Sequence, residues 1–230
     1  MKGVAPKTSF KVFEVPHMGY LSIRPEDQRV GAWKLPWDKP KAILNKSTRS
    51  RRSWRIAAFP DREGVVCYQT YFGVWPTSSG YDEILLAAIL NSPVANAFVA
   101  TREGKTDITA ETLRLIPMPM FTESQRQSLV SLVNRYQVTI ESFGLMRQVP
   151  EDPEILLKQI DAAVLDGYRM PPRLERELLD FFRGHRRPVS HTFDDYVAAD
   201  CEVYFPLSAM LSPEFTSANA GALLRRVEGL

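Results

Sequence analysis

Cysteine is nearly absent from this chain: Cys67 and Cys201 stand far apart among 230 residues, with no metal-ligand spacing around either. That pattern excludes a disulfide-stapled secreted scaffold and fits a reduced, cytoplasmic protein. Histidine is equally sparse, and His17, His185 and His191 have no cysteine or carboxylate at zinc-ligand distance in sequence. No run of about 18 apolar residues is present, so no membrane span is expected, and Met1 to Phe10 lacks the apolar centre of a signal peptide. Charge of one sign is lacking too. The net charge is +2, so any nucleic-acid surface has to be a local patch, not a global field. There is no Gly-x-Ser-x-Gly elbow for serine catalysis, no internal repeat and no low-complexity tract.

What is present is 44% hydrophobic residues, enough for one sizeable core. Phe10 to Val15 alternates as a half-buried strand does, and Tyr20 to Ile23 repeats the signal after a Pro16 to Gly19 turn, predicting a hairpin. Trp33 to Pro40 is an irregular aromatic segment, expected on the surface or over a sheet edge. Strands are predicted near Ala42 to Leu44, Trp54 to Phe59 and Val65 to Val74, with Asp61 to Gly64 as a turn. Ile84 to Leu90 is apolar and free of Gly and Pro, which predicts a buried helix. Asn91-Ser92-Pro93 breaks it, with Ser92 as cap and Pro93 as the first residue of a second helix. After a polar loop from Thr101 to Asp107, Thr109 caps a short helix that ends at Ile116-Pro117-Met118-Pro119.

Further on, Thr122-Glu123-Ser124-Gln125 has the form of a capping box. The helix it opens carries Leu129, Val133, Tyr136, Ile140 and Phe143 at four-three spacing. That stripe either packs on its own domain or docks a partner subunit. Asp152-Pro153 starts another helix with Leu156, Ile160 and Val164 on one face and Gly167 at its end. A second, near Pro172, shows Leu174, Leu178, Phe181 and Phe182, and the two are expected to form a helical hairpin. A weak amphipathic helix is expected around Ala220 to Val227. The prediction is an α+β fold: a small mixed or antiparallel sheet with packed helices over residues 1–147, followed by a helical C-terminal extension over 148–230.

The chemistry-bearing stretch runs from Lys39 to Arg55. It holds Lys39, Lys41, Lys46, Arg49, Arg51, Arg52 and Arg55, interleaved with Ser47, Thr48, Ser50 and Ser53, and no acid. Such a loop is either a solvated charged face or a phosphate-binding surface of guanidinium forks and hydroxyls. A second basic loop contains Arg102, Lys105 and Thr106, with Gly104 free to take a left-handed turn that aims Lys105 and Thr106 outward. If both loops lie on one side they form a cleft able to embrace duplex DNA. Gln69 and Tyr71 alternate on a strand and either face that cleft or pair locally on the sheet. Glutamine is suited to adenine. Pro60-Asp61 with Glu103-Gly104-Lys105 formally matches a Mg-dependent nuclease pattern, though in predicted turns.

The order of these motifs resembles a known family. Lys41-Ala42-Ile43-Leu44, Ser50 through Ala58, Gln69-Thr70-Tyr71-Phe72, a helix ending Leu90-Asn91-Ser92, a basic loop, and the exit Ile116-Pro117-Met118-Pro119 together look like a target recognition domain. The domain is that of DNA adenine methyltransferases in restriction-modification systems, including Type I specificity subunits. The resemblance covers about residues 30 to 145, and more loosely Asp152 to Arg187. It implies a non-catalytic DNA-recognition subunit or domain, serving modification, restriction or phage defence. The cofactor glycine motif and the Asn/Asp-Pro-Pro-aromatic motif of the catalytic half are both missing. S-adenosylmethionine would therefore come with a separate methyltransferase chain or domain, and the partners implied are double-stranded DNA and that enzyme. The resemblance implies DNA contacts from Lys46, Arg49, Arg51, Arg52, Arg55, Gln69, Tyr71, Arg102, Lys105 and Thr106. The reading of a different class is a protein-protein interaction module whose basic loop binds an acidic surface.

Overall fold

The computed structural model describes residues 2–4, 10–20, 34–47, 53–67, 70–144, 151–197 and 204–216. It is an α+β fold with two small antiparallel sheets and a larger helical layer. Strand β1 (Lys2–Val4) pairs with β2 (Met18–Tyr20), and β3 (Lys41–Asn45) is the centre of a second sheet between β4 (Ala58–Asp61) and β5 (Tyr71–Val74). The predicted strand of Phe10 to Val15 is corrected, while residues 21–23 of its expected hairpin partner lie outside the described residues. Phe13 has a left-handed φ of 59° and donates its N–H to Ala58, so residues 10–17 form a turn and irregular chain instead of a strand, and β2 takes β1 as its partner. Of the predicted strand over 54–59 only Ala58 and Phe59 are in β4, because side-chain amides hold residues 55–57; of that over 65–74, Val66 bridges Gly3, Tyr71–Val74 form β5, and 68–69 lie outside the described residues.

Every residue of β3 is buried, and the two-residue period divides them. Ala42 and Leu44 face a cluster with α1 (Glu83–Asn91), while Ile43 faces Val4, Phe59, Val65 and Tyr71 on the other side. Helix α1 lies across β3 and β4 and is apolar all round, as a helix enclosed on every side must be. At Ser92 the chain bends by 58° into α2 (Pro93–Arg102). No single helix among the described residues is long and apolar enough to cross a membrane.

Helix α3 (Ala110–Arg114) follows, capped by Thr109 as expected, then α4 (Glu123–Gly144), which Thr122 and Gln125 open by their reciprocal hydrogen bonds. Leu129, Val133, Tyr136 and Ile140 of α4 are buried against α1 and α5 (Pro153–Tyr168), so the heptad stripe packs on its own fold. Leu156, Leu157, Ile160 and Val164 of α5 belong to the same apolar cluster as α1 and α4, which builds the helical tail onto the core. Asp152 caps α5 and Pro153 begins it, as expected.

The left-handed cap residue of α5 is Arg169, with φ 52°, and not Gly167. Gly167 lies inside the helix, where any Cβ would run into the Phe121 ring. The expected apolar face of α6 (Pro172–Asp180) is also corrected. Phe182 is buried and Leu178 partly buried as expected, but Leu174 is 52% and Phe181 40% exposed, and Glu175 and Leu179 face inward in their place. Glu175 turns inward because its carboxylate accepts the N–H of Leu207, the buried first residue of α7 (Leu207–Met210), which precedes α8 (Pro213–Thr216). The expected hairpin is not formed: α6 leans on α2 and meets α5 through the apolar cluster it shares with α7. Residues 220–227 lie outside the described residues.

Candidate nucleic-acid interface

The site begins with three buried asparagines. Asn45, the last residue of β3, accepts the N–H of Ala57 and donates to the carbonyl of Arg55 at 2.9 Å. Asn91 does the same for Ala58, accepting its N–H at 2.7 Å and donating to its carbonyl at 2.9 Å. Asn96 receives two donors on one oxygen, the N–H groups of Arg55 and Ile56, both at 2.7 Å, and gives its amide hydrogens to Leu90 and Ser92. Segment 55–58 thus has side-chain amides where a neighbouring strand would stand. Buried main-chain groups need such partners. The Leu-Asn-Ser-Pro break therefore does two things: Ser92 caps α2, and the asparagines on each side of the bend fasten the chain that leads into β4.

That fastening sets two loop roots side by side. At the far end of β3, Lys46 donates its N–H to Thr70 at 2.8 Å and accepts that of Ile108 at 2.7 Å. Ser47 bridges Asp107 and its hydroxyl donates to the Asp107 carboxylate. Arg55 reaches across to donate to the Lys105 carbonyl. Residues 46–47, 53–55, 70 and 105–108 therefore converge at one end of the sheet.

Of the residues expected to touch DNA, Lys46, Arg102, Lys105 and Thr106 are described at this end with partial or full exposure. Lys46 extends its ammonium 5.9 Å from the Phe72 ring, and Arg102 lies over Phe98 at 4.3 Å from the ring centroid, which braces both cations on aromatic faces. Arg49, Arg51, Arg52 and Gln69 lie outside the described residues.

Two expected contacts are corrected. Arg55 is 2% exposed and donates to the Lys105 carbonyl, so it ties the two loop roots from inside the fold. Tyr71 is 9% exposed, stacked on Phe10 at 4.8 Å in the cluster behind the sheet. Gly104 has no left-handed φ; among the described glycines that conformation belongs to Gly64 and Gly184. Loop 103–109 is shaped by Glu103, whose carboxylate accepts the N–H and hydroxyl of Thr109. Hydroxyl donors, Thr112 first and then Thr109, hold the Glu103 pKa below the usual carboxylate value.

The nuclease pattern is pulled apart by the fold. Asp61 pairs with Lys41 at one end of β3, whereas Glu103 and Lys105 sit beyond Asn45 at the other. Asp61 also accepts the N–H groups of Glu63 and Val65 at 3.0 Å each. No group of three or more His, Cys, Asp or Glu able to hold a metal ion occurs among the described residues. Burial pushes the Cys67 thiol up to about 12, far from a thiolate nucleophile at neutral pH. Searches with protein-family models and against curated proteins find no match to this chain.

Sequence reasoning did not anticipate the roles of Asn45, Asn96, Ser47 and Asp107. Asn45 and Asn96 do carry a signal, since both stand in apolar surroundings where an amide has to be satisfied by main chain. Ser47 and Asp107 carry none, because a serine and an aspartate in two distant polar loops look like solvent-facing residues.

Proposed function

We propose that this chain is a DNA-sequence-recognition subunit or domain without a catalytic centre of its own. It would act in the cytoplasm beside a DNA adenine methyltransferase that brings S-adenosylmethionine. The observation that carries this reading is the convergence of the two basic-loop roots at one end of the sheet, tied by the Lys46–Ile108, Ser47–Asp107 and Arg55–Lys105 hydrogen bonds. The resemblance in motif order to target recognition domains supports it further.

Lys46, Arg102 and Lys105 stand at this end, and the sequence adds Arg49, Arg51 and Arg52 between Ser47, which is tied to Asp107, and the buried Ser53. Phosphate contacts from these cations would fix the register of the duplex, with Gln69 and Thr106 as candidate readers of base edges. The partner enzyme would then extract the adenine that this register presents. The buried asparagines make the platform rigid, which suits a reader that has to hold one register.

The test is fluorescence anisotropy of the full chain with a labelled duplex, alone and with a candidate methyltransferase. Binding that is lost when Arg49, Arg51 and Arg52 are replaced by Ala supports the reading. Absence of binding in both states at low salt refutes it and favours an interaction module with an acidic protein partner.

A further inference from the structure

Both legs of the candidate interface are fastened at one buried cation in the C-terminal part of the chain. Arg187 is 1% exposed and forks onto Asp161 of α5 through both terminal nitrogens. Tyr196 closes the group, accepting from Arg187 at 3.0 Å and donating to Asp161 at 2.7 Å. Burial disfavours the guanidinium charge, but Asp161 outweighs that and holds its pKa above the ordinary value, so Arg187 remains a cation.

From this point one contact runs to each leg. The guanidinium carbon lies 4.4 Å from the Trp54 ring centroid. Trp54 also stacks on Phe182, with centroids 4.0 Å apart and planes 29° from parallel. Trp54 immediately precedes Arg55, the residue that holds Lys105. The second contact is a hydrogen bond of 3.0 Å from Arg187 to the carbonyl of Asn91, at the C-terminus of α1 where the helix dipole favours a cation. Asn91 begins the bend into α2, whose far end carries Arg102 and the Lys105 loop.

We infer that Arg187 and Phe182 are positioning residues for the candidate interface, fixing the roots of its two basic loops relative to each other. The inference rests on the DNA-recognition reading for its consequence in binding. The geometry of fastening stands apart from that reading. The helical C-terminal region thereby gains a function, since residues 182–196 hold the platform on which the basic residues stand, without touching DNA themselves.

The experiment uses the full chain carrying Phe182→Leu, with F182M as a second variant that fills nearly the same volume without a ring face. Amide hydrogen exchange is read at Lys46 and Ile108, whose N–H groups tie the loop roots, and at Leu129 in α4 as a reference. Duplex affinity is measured in parallel. The expected result is faster exchange at Lys46 and Ile108 with Leu129 unchanged, and a roughly threefold or greater loss of affinity. Exchange changes confined to residues 172–197, with affinity as in the parent chain, overturn the inference. A parent chain that binds no duplex, while F182L still loosens Lys46 and Ile108, supports the fastening and refutes the DNA reading.

Discussion

Asn96 spends one amide oxygen on two buried main-chain donors, Arg55 and Ile56, so its loss leaves two N–H groups without a partner. Each such orphan costs roughly 1–3 kcal/mol. Asn96→Ala is therefore expected to lower stability by about 3 kcal/mol, seen as an earlier urea midpoint, and an unchanged midpoint would show that water replaces the amide. His191 gives a pH prediction. Its Nδ1 donates to the Thr192 carbonyl, which leaves Nε2 to accept from the Tyr136 hydroxyl at 3.0 Å in the neutral ring. Burial, then the nearby Arg187 charge, lower its pKa below the ordinary 6.5, against the raising effect of Thr192, Glu154 and Glu14. The unfolded chain then binds the proton more readily than the folded one. The contribution of His191 is full above about pH 6.5 and fades as pH falls toward the folded pKa. Chemical denaturation between pH 8 and pH 5 checks this: His191→Gln should flatten the loss of stability seen in the parent chain. The apolar neighbours of Asn96 signal that its amide needs main-chain partners, but not that these are Arg55 and Ile56, which only the fold brings beside it. His191 reads as a lone surface histidine.

Elements with strong local signals were readable: the apolar run of α1, the Ser92-Pro93 break, the Thr122 box and the Asp152-Pro153 start all rest on interactions within a few residues. Elements fixed by distant partners were not. Helix α6 has two overlapping stripes. Of the face that looks apolar, Phe182 is buried and Leu178 partly so, while Leu174 and Phe181 give way to Glu175 and Leu179, because α7 and Trp54 supply partners on that side. Gly167 shows the same limit. Near a helix end a glycine suggests a left-handed cap, but here it makes room for Phe121 on the strap that carries Met120, whose N–H donates to the Gly167 carbonyl. Alanine within a helix ordinarily gains about 1 kcal/mol over glycine. Gly167→Ala should instead lose stability, because overpacking costs about 1–3 kcal/mol. In a Phe121→Leu background, with the ring gone, the same change should be neutral or stabilising. A thermal-melt cycle over the four proteins reads this coupling directly.

At the scale of the whole molecule, a three-stranded sheet gives the site its direction. One end of β3 is closed by the buried Lys41–Asp61 pair, and the other opens into the roots of both basic loops. The sequence shows two basic loops but not that they adjoin, since that depends on Lys46 meeting Ile108 and Arg55 meeting Lys105, the latter pair 50 positions apart in the chain. The helical layer, including the region after Asp152, packs behind this end and holds it through Arg187. If these cations meet phosphate, binding releases counterions from the duplex and so weakens with salt. The decisive measurement is the slope of log affinity against log salt for the full chain on duplex DNA. The expected slope is about −3 or steeper, made shallower by about two to three when Arg49, Arg51 and Arg52 become alanine. A slope near zero, or one that this triple replacement leaves unchanged, would contradict phosphate contact.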